Sequence, residues 1–258
     1  TVDVDGTKLT TKYILVATGG YPAVPEVPGI EHVINSDQAL DLKELPKHIV
    51  IVGGGYIGLE VAASATKKGA RVCVLETESR LLSRVVAPET AAFFAARHAA
   101  EGVEIRTGAR AAAITGENGK VTGVELASGE SVNADVVVIG IGVVPNQELA
   151  AEAGLEVDDG IVVDDRGLTS DPAIYAAGDC TRHPSALYGR TLRLESVHNA
   201  MTQARVVAAN IAGKDAHYDE APWFWSDQYD VKLQIVGIAD GHDETVLRGD
   251  SQTGPFTL

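Results

Sequence analysis

The stretch His48-Ile49-Val50-Ile51-Val52-Gly53-Gly54-Gly55-Tyr56-Ile57-Gly58 decides the fold, because an apolar run meets a glycine-rich turn there. Residues 48–52 predict a buried strand, and residues 57–68, closed by Gly69, predict a helix. Residues 71–76 predict a second strand. Together the three segments span about 30 residues, which is the size of a βαβ unit with a right-handed crossover.

The glycines of this stretch follow the spacing Gly-x-Gly-x-x-Gly, and each has a separate task. Gly53 permits a tight turn, Gly55 lets backbone N–H groups approach a pyrophosphate, and Gly58 lets helix and strand pack closely. A phosphate at the start of the following helix would meet unpaired N–H groups and the positive end of the helix dipole. The pattern predicts a dinucleotide site; the alternative is a glycine-rich structural turn.

Glu76 ends the second predicted strand. A carboxylate at this place can accept hydrogen bonds from the adenosine ribose hydroxyls and would repel a 2′-phosphate. The alternative is a surface glutamate without this role. We therefore expect NADH rather than NADPH, with Arg80 as the nearby cation that would favour the 2′-phosphate.

The rest of the chain alternates strand and helix patterns, which predicts an α/β fold. The predicted elements are a hairpin over 2–9 around Asp5-Gly6, a buried strand ending at Gly20, a punctuated linker over 21–46 containing a helix from Ser36 (as N-cap) to Leu45, a helix from Pro88 to about Glu101, strands near Glu104 and over 111–115, 121–126, 135–140, 161–163 and 174–177, a helix over 199–212, and strands after Pro222.

Composition excludes several classes of protein. The chain has 258 residues, 45% hydrophobic and 22% charged, which is typical of one large or two ordinary globular domains. The net charge of −15 argues against a nucleic-acid partner. No apolar run reaches the roughly 18 residues of a membrane span, and no signal peptide opens the chain, so we expect a cytoplasmic protein.

The cysteines and histidines show no metal or disulfide pattern. Cys73 and Cys180 are far apart and form no CxxC motif, so neither a disulfide framework nor a zinc ribbon fits. The seven histidines have no metal-ligand spacing, and surface or core roles are expected for them. We expect no metal site.

A second constellation lies in Ala173-Ile174-Tyr175-Ala176-Ala177-Gly178-Asp179, where a strand of small residues ends in a carboxylate. Ligands of α/β sheets bind at such strand ends, although Asp179 taken alone is more often a turn residue. Ala17-Thr18-Gly19, the glycine motif and Gly178-Asp179 follow one another in the order typical of two-dinucleotide flavoprotein reductases. Over essentially its whole length the sequence resembles this superfamily, the FAD-dependent pyridine nucleotide-disulfide oxidoreductases.

Two branches of that superfamily are represented. From about Gly53 onward the chain resembles the NADH-dependent ferredoxin reductases of cytochrome P450 and ring-hydroxylating oxygenase systems. The most specific segment is Pro222-Trp223-Phe224-Trp225-Ser226-Asp227-Gln228-Tyr229. Residues 1–52 are closer to the glutathione reductase branch. Ferredoxin reductases tend to have a flavin-binding arginine near position 35, where this chain has Asn35.

The resemblance implies a fold of two three-layer α/β nucleotide-binding domains, with the NAD domain inserted in the FAD domain, and the start of an α+β interface domain. The implied boundaries are 1–28 for an FAD-domain remnant, 29–145 for the NAD(H)-binding Rossmann-type domain, 146–217 for the continued FAD domain and 218–258 for a truncated C-terminal interface domain.

The resemblance also implies FAD and NAD as cofactors and no catalytic acid or base, because the protein positions the cofactors. Expected at NAD are Gly53, Gly55, Gly58 and Glu76, with Glu60 and Gly142 near the nicotinamide. Expected at FAD are Thr18, Gly19, Asp179, Glu195, Val197 and Trp225.

The implied activity is that of an NADH:ferredoxin oxidoreductase, which passes electrons from NADH through FAD to a [2Fe–2S] ferredoxin. Because such ferredoxins are acidic, a local basic patch is expected, with Arg190, Arg193 and Arg205 as candidates; solvated surface arginines are the alternative. Two other functions share the architecture: a disulfide reductase of the glutathione reductase type, and an NADH-sensing flavoprotein like the apoptosis-inducing factors.

The chain begins at Thr1, and its single methionine is Met201. We expect an internal piece of a longer protein; a trimmed N-terminus on a complete domain is the alternative. Strand patterns at both ends predict sheet edges that favour self-association. Residues 1–258 contain one glycine motif, that for NAD, so we expect this chain to bind NADH better than FAD.

Overall fold

The computed structural model describes residues 1–239, 241–250 and 256–257. The predicted domain over 218–258 is therefore described in part, since residues 240, 251–255 and 258 lie outside the described residues. Backbone contacts divide the chain into two compact units. The Gly53 unit comprises Pro22–Gly142, Trp225–Leu233 and Ile238–Leu258, and the Asp179 unit comprises Thr1–Tyr21, Val143–Phe224 and Gln234–Gly237.

The α-helices of the described residues are α1 (Ser36–Leu40), α2 (Tyr56–Lys67), α3 (Pro88–Ala100), α4 (Glu148–Glu152) and α5 (Val197–Ile211). The strands are β1 (Val2–Val4), β2 (Thr7–Leu9), β3 (Ile14–Val16), β4 (Gly20–Pro22), β5 (His48–Val52), β6 (Arg71–Leu75), β7 (Glu104–Arg106), β8 (Ala111–Glu117), β9 (Lys120–Leu126), β10 (Ser131–Asn133), β11 (Val136–Ile139), β12 (Val143–Pro145), β13 (Ile161–Val162), β14 (Ile174–Ala176), β15 (Thr181–Ser185), β16 (Arg190–Leu192), β17 (Trp223–Gln228), β18 (Val231–Val236), β19 (Arg248–Gly249) and β20 (Phe256–Thr257).

The Gly53 unit is built on a parallel sheet with the strand order β11-β5-β6-β7. Helix α2 connects β5 to β6, and α3 connects β6 to β7. The predicted βαβ unit is confirmed within one residue at each boundary. Gly69, at φ +99°, lies just beyond α2, where a left-handed residue commonly follows the end of a helix.

Both faces of this sheet are buried, because successive side chains of a strand point to opposite sides. Ile51 on one face and Leu59 of α2 have no exposed surface. Each such side chain contributes about 1.5–3 kcal/mol relative to exposure. The opposite face packs in one apolar cluster with the antiparallel sheet β10-β9-β8; the buried members are Val50, Val52, Cys73, Leu75, Ile114, Val124, Leu126, Val132, Ala134, Val137 and Ile139.

The Asp179 unit contains shorter strands. β14 pairs with β3 in parallel, β13 with β15 in parallel, and β15 with β16 antiparallel. A buried cluster that includes Val16, Ile161 and Ala176 joins β3, β13 and β14. Val207 of α5 packs with Tyr175 and Ala177 on another side of β14. The C-terminal end of β14 is therefore covered by apolar side chains where it enters Gly178-Asp179.

The helix predicted from Ser36 to Leu45 is shorter, and its predicted N-cap is wrong. The N-cap is Asn35: its side chain accepts from the Gln38 N–H at 2.9 Å, and the Gln38 side chain accepts from the Asn35 N–H at 2.9 Å. This reciprocal capping box satisfies two free donors of the first turn. The helix ends at Leu40 and buries none of its residues, so little tertiary packing supports further turns.

The N-terminus of α5 also differs from the prediction. It begins at Val197 instead of Asn199, because the Ser196 hydroxyl accepts from the Asn199 N–H at 3.1 Å and acts as the N-cap. The predicted hairpin over 2–9 is confirmed. β1 pairs antiparallel with β2, and both Asp5 and Gly6 have positive φ, as a tight hairpin turn requires.

The strand-like pattern after Pro222 is confirmed as the paired strands β17 and β18. Tyr229, in the turn between them, has a φ of 59°. Among the described residues, no helix has both the length and the apolar character that a membrane crossing demands.

Candidate functional site

The predicted tasks of the glycines agree with the backbone geometry of the turn. Gly53 has a φ of +114°, and a Cβ there would lie 2.3 Å from the Gly140 carbonyl oxygen. A Cβ on Gly58 would lie 2.0 Å from the Gly53 carbonyl oxygen. Larger residues would therefore open the turn and push α2 away from β5. At Gly55, by contrast, a Cβ would meet nothing within 4 Å.

The N-terminus of α2 offers its N–H groups to this open space. Gly55 is the N-cap and supplies no side-chain hydrogen bond, and the first turn contains no acidic residue. Unpaired N–H groups and the helix dipole attract an anion at such a terminus. Because Gly55 leaves room beside them, the turn fits a pyrophosphate.

The Glu76 carboxylate is held beside the turn by backbone donors. Its Oε2 accepts from the Gly54 N–H at 2.8 Å, and its Oε1 accepts from the Glu78 N–H at 2.9 Å. The Thr77 hydroxyl also lies 3.2 Å from Oε1. Two backbone donors fix the direction of the carboxylate, while a carboxylate can accept about four hydrogen bonds. With these three contacts the carboxylate retains capacity for about one more hydrogen bond, which a ribose hydroxyl can donate.

Gly54 is a site residue that the spacing argument passes over. A Cβ there would lie 2.5 Å from Cδ2 of Leu81 and 3.0 Å from Oε2 of Glu76. A side chain would therefore displace either the carboxylate or the buried Leu81. The signal available in the sequence was the middle glycine of the run Gly53-Gly54-Gly55, which the Gly-x-Gly-x-x-Gly pattern does not require.

The Arg80 guanidinium is committed to the loop that follows it. It donates to the carbonyl oxygens of Ser83 at 2.7 Å and Val86 at 3.0 Å. A 2′-phosphate would have to compete with these hydrogen bonds. The geometry thus supports the preference for NADH that Glu76 predicts.

Three neighbouring strands bring the remaining NAD candidates to one edge of the sheet. Because β11, β5 and β6 are adjacent and parallel, their carboxyl ends share this edge. Gly142 follows β11 with a φ of +134°, and its carbonyl accepts from the Ala23 N–H at 2.9 Å. Glu60 lies half-buried in α2, and its Oε1 accepts from the Ser226 hydroxyl at 2.6 Å. The six predicted NAD residues therefore share one unit, and their contact with NAD stays a prediction.

Asp179 and Glu195 come together in the other unit. Burial, and then the Glu195 charge, raise the pKa of the half-buried Asp179, whereas Arg193 and the Ser196 N–H favour its ionised form. Arg193 pairs with Glu195 and, at 3.1 Å, with Asp159. A half-buried carboxyl of this kind suits a neutral hydroxyl donor, such as those of a flavin dinucleotide.

The other flavin candidates are distributed more widely. The Thr18 hydroxyl donates to the Asn146 carbonyl at 2.6 Å, and the Gly19 carbonyl accepts from the Asn146 N–H at 2.9 Å. Val197 is 55% exposed in the first turn of α5. Trp225 lies half-buried on β17 and belongs to the Gly53 unit. Their contacts with FAD stay predictions.

The expected basic patch is weaker than the sequence suggested. The charge of Arg193 is balanced by Asp159 and Glu195, whereas Arg205 is exposed on α5. Asn35, at the position where the resemblance predicts a flavin-binding arginine, is the N-cap of α1. This capping role explains the side chain locally.

Both cysteines are free and buried. Burial in β6 raises the pKa of Cys73 to about 11, so its thiol stays protonated near neutral pH. Cys180 has no exposed surface. Neither side chain suits a reactive thiolate.

Comparisons with known proteins identify the family. Residues 1–204 match the family described as pyridine nucleotide-disulphide oxidoreductase, and residues 223–258 match the family described as reductase C-terminal. Putidaredoxin reductase of Pseudomonas putida is 42% identical over 98% of this chain and 63% of its own length. A ferredoxin--NAD(P)(+) reductase of Sphingomonas sp is 44% identical over 83% of this chain and 53% of its own length.

The fold agrees with these matches. The crystal structure of the covalent putidaredoxin reductase–putidaredoxin complex superposes with a TM-score of 0.93 at 42% identity, over 98% of this chain and 64% of that one. The chain thus spans between half and two thirds of these relatives' length. The expected α/β fold and the resemblance to ferredoxin reductases are confirmed, and the family uses FAD together with a nicotinamide nucleotide, as expected. The match over most of the chain, supported by this identity, shows that the protein belongs to the pyridine nucleotide-disulphide oxidoreductase family.

Proposed function

We propose that the chain is the NADH-binding part of an NADH:ferredoxin oxidoreductase, which passes electrons from NADH through FAD to a [2Fe–2S] ferredoxin. One observation carries the proposal: a carboxylate fixed by the Gly54 N–H stands beside a helix N-terminus that Gly55 leaves open. This pair of features suits the ribose and pyrophosphate of a dinucleotide. The names of the relatives support the reaction class.

Each residue at the strand edge has a positioning role in this proposal. Gly55 and the first N–H groups of α2 bind the pyrophosphate, and Glu76 accepts from the adenosine ribose. Glu60 and Gly142 border the nicotinamide. Gly53 and Gly58 act indirectly: neither position has room for a Cβ atom, and their lack of a side chain lets the turn stay tight.

The proposed flavin residues of this chain are Thr18, Gly19, Asp179, Glu195, Val197 and Trp225. FAD, when bound, would accept two electrons together as a hydride and release them one at a time. Asp179 would accept a hydrogen bond from a hydroxyl of the dinucleotide, and Ser196 holds it in place through its N–H. We assign no acid or base to the reaction.

We also propose the partner and the compartment. The related putidaredoxin reductase has been crystallised in a covalent complex with putidaredoxin, which supports a ferredoxin partner here. Because the chain has a net charge of −15, an acidic partner needs a local cation, and Arg205 is our candidate. Free thiols at Cys73 and Cys180 support a cytoplasmic location.

The disulfide reductase alternative is less well supported. The relatives that are 42% and 44% identical are named as reductases of a ferredoxin, and residues 223–258 match the family described as reductase C-terminal. The NADH-sensing alternative predicts the same nucleotide site without rapid electron transfer. Reduction of a [2Fe–2S] ferredoxin by NADH separates it from the proposed enzyme.

Nucleotide titration tests the proposal directly. The chain should bind NADH at least about tenfold more tightly than NADPH, because a second anion beside Glu76 costs about 1.4 kcal/mol or more. Glu76→Gln should narrow that ratio by removing the charge. Glu78→Gln is the matched control, since this exposed neighbour meets Glu76 through its backbone N–H. Equal affinities of the unaltered chain for both nucleotides would remove the proposed role of Glu76.

The partner proposal has its own test. Arg205→Glu should slow ferredoxin reduction and flatten its dependence on salt, because exposed charges mainly affect the association rate. The control charge reversal is Lys120→Glu, on β9 of the Gly53 unit. Arg166→Glu would be less suitable as a control, because it would also break the ion pair between Arg166 and Asp215. Equal effects of the two charge reversals would contradict a docking role for Arg205.

A further inference from the structure

Three side chains without exposed surface form a polar path through the Gly53 unit. Ser226 and Gln228 lie on β17, His98 lies on α3, and each is 0% exposed. Burying a polar side chain is costly unless it is hydrogen-bonded. These three satisfy one another in series, and the series ends on Glu60.

The chemistry of the side chains sets the direction of the hydrogen bonds. The Ser226 hydroxyl donates to Oε1 of Glu60 at 2.6 Å. The Gln228 amide Nε2 donates to the Ser226 oxygen at 3.0 Å, and its Oε1 lies 2.9 Å from Nε2 of His98. The His98 Nε2 therefore carries the proton. Its Nδ1 then accepts from the Tyr229 hydroxyl at 3.1 Å.

The protonation state of His98 agrees with this direction. Burial lowers the pKa of His98, although the hydrogen bond with Gln228 opposes the shift. A neutral imidazole has one donor nitrogen and one acceptor nitrogen, which is what an interior link requires. All four hydrogen bonds consequently point their donors towards the carboxylate.

The far end of the path is held by charged side chains. Arg97 of α3 donates to Asp230 at 2.8 Å, and its guanidinium lies 5.0 Å from the centre of the Tyr229 ring. The Lys67 ammonium donates to the Tyr229 carbonyl at 3.0 Å. The turn between β17 and β18 is thereby fastened to both α2 and α3, which limits movement of the Tyr229 hydroxyl.

We propose that Tyr229, His98, Gln228 and Ser226 form a positioning chain that holds the Glu60 carboxylate in one orientation for the carboxamide of the nicotinamide. The inference rests on the proposed function, since Glu60 meets a nicotinamide only if the dinucleotide occupies the glycine turn. One carboxylate oxygen accepts from Ser226, and the amide N–H of nicotinamide is the donor that suits a carboxylate held in this way.

The proposed effect is confined to one half of the ligand. Glu60 is assigned to the nicotinamide, whereas Gly55 and Glu76 are assigned to the pyrophosphate and the adenosine ribose. A substitution in the positioning chain should therefore lower the affinity for NADH and leave the affinity for ADP-ribose unchanged. A purely structural role of the buried side chains would weaken both ligands together or neither.

The experiment compares the affinities of the 258-residue chain for NADH and for ADP-ribose by fluorescence and calorimetric titration. Ser226→Ala should weaken NADH binding about tenfold, the loss expected for a hydrogen bond to a charged group, and leave ADP-ribose affinity unchanged. Glu60→Gln should do the same. The double variant should lose little more than either single one, because both changes interrupt one path.

Ser128→Ala is the matched control, because the Ser128 hydroxyl donates to Glu130 at 3.2 Å on an exposed turn. It should leave both affinities unchanged. Tyr229→Phe, which keeps the ring and removes the first donor, is a second variant if Ser226→Ala does not fold; it should weaken NADH two- to threefold.

The possible outcomes separate the two proposals. If the unaltered chain binds ADP-ribose and NADH, but Ser226→Ala and Tyr229→Phe leave their affinity ratio unchanged, the positioning chain is wrong and the proposed function stands. If the unaltered chain binds neither ligand, the proposed function fails and the positioning chain fails with it. A selective loss of NADH affinity supports both.

Discussion

Each unit of the molecule contains a buried glutamine hydrogen-bonded to a buried histidine, and the two pairs are arranged differently. In the Gly53 unit, Gln228 links His98 to Ser226 and so to Glu60. In the Asp179 unit, Gln203 of α5 donates to Nδ1 of His183 at 3.0 Å. Its Oε1 accepts from the Gly178 N–H at 2.7 Å, next to Asp179.

The histidines differ in what lies on their other side. His98 meets the Tyr229 hydroxyl, whereas the Nε2 of His183 and the hydroxyl of Tyr218 are buried without a hydrogen-bond partner among the described residues. His183 and Tyr218 both border a cavity of about 10 Å³. This volume is close to the smallest that can hold one water molecule. The pair of His98 and Gln228 is therefore part of a series of hydrogen bonds that ends at the Glu60 carboxylate. The pair of His183 and Gln203 instead stabilises the backbone turn at Gly178.

Replacing the glutamines should give the largest difference between the pairs. Gln203→Leu leaves the Gly178 N–H and the His183 Nδ1 buried and unpaired, which should lower the free energy of unfolding by about 4 kcal/mol. Gln228→Leu leaves mainly the His98 Nε2–H unpaired and should cost about 2 kcal/mol. Urea denaturation measures both.

The same two variants should differ in ligand binding. Gln228→Leu should weaken NADH relative to ADP-ribose, because it interrupts the path to Glu60, and Gln203→Leu should not. The proposed difference between the pairs is wrong if both variants change the ratio of NADH affinity to ADP-ribose affinity. It is also wrong if Gln203→Leu lowers the free energy of unfolding less than Gln228→Leu does.

The next largest difference between the pairs is expected in how stability depends on pH. Burial lowers the pKa of His183 to about 4, with no opposing hydrogen bond, whereas the lowering at His98 is opposed by Gln228. The unfolded chain takes up a proton near pH 6.5 and the folded chain does not, so stability is lost as the pH falls from 6.5 towards 4. His183 should account for a loss of about 3 kcal/mol at most.

Denaturation at pH 7.0 and 4.5 measures this loss, with His183→Asn as the variant that cannot titrate. It should lose less stability than the unaltered chain across the interval. Asp179 acts with the opposite sign, because its raised pKa favours proton uptake by the folded chain. Equal slopes for His183→Asn and the unaltered chain would show that His183 keeps an ordinary pKa.

The smallest difference is expected at the tyrosines. Tyr218→Phe removes a hydroxyl that has no partner among the described residues, and should leave stability unchanged or raise it slightly. Tyr229→Phe removes a hydrogen bond to His98 and should cost about 1 kcal/mol. Thermal denaturation of the two variants measures the contrast, and a reversal of their order would contradict it.

Local patterns predicted most of the Gly53 unit. The strand at 48–52, the helix after Gly55 and the strand before Glu76 follow from apolar runs and glycine spacing, because each depends on neighbours in sequence. The capping of α1 was also local, but Asn35 and Ser36 are both good N-caps. The choice between them depended on Gln38, whose side chain completes the capping box of Asn35.

The positioning chain could not be predicted in this way. Glu60 and Ser226 are 166 positions apart, and His98 and Gln228 are 130 apart. A lone buried histidine in a helix resembles any core histidine, and the segment 222–229 was informative as a family signature, not as a contact. Only the packing of β17 against α2 and α3 reveals which polar side chains meet.

The direction of the hydrogen bonds towards Glu60 limits how this part of the sequence can change through evolution. Every interior link must donate on one side and accept on the other, which serine, glutamine and neutral histidine do. An ionised carboxylate at position 228 could not donate to Ser226, and a lysine there could not accept from His98. Such a change would require compensating substitutions at 98 and 226, so these three positions should be inherited as a set, although they lie in segments that match two different families.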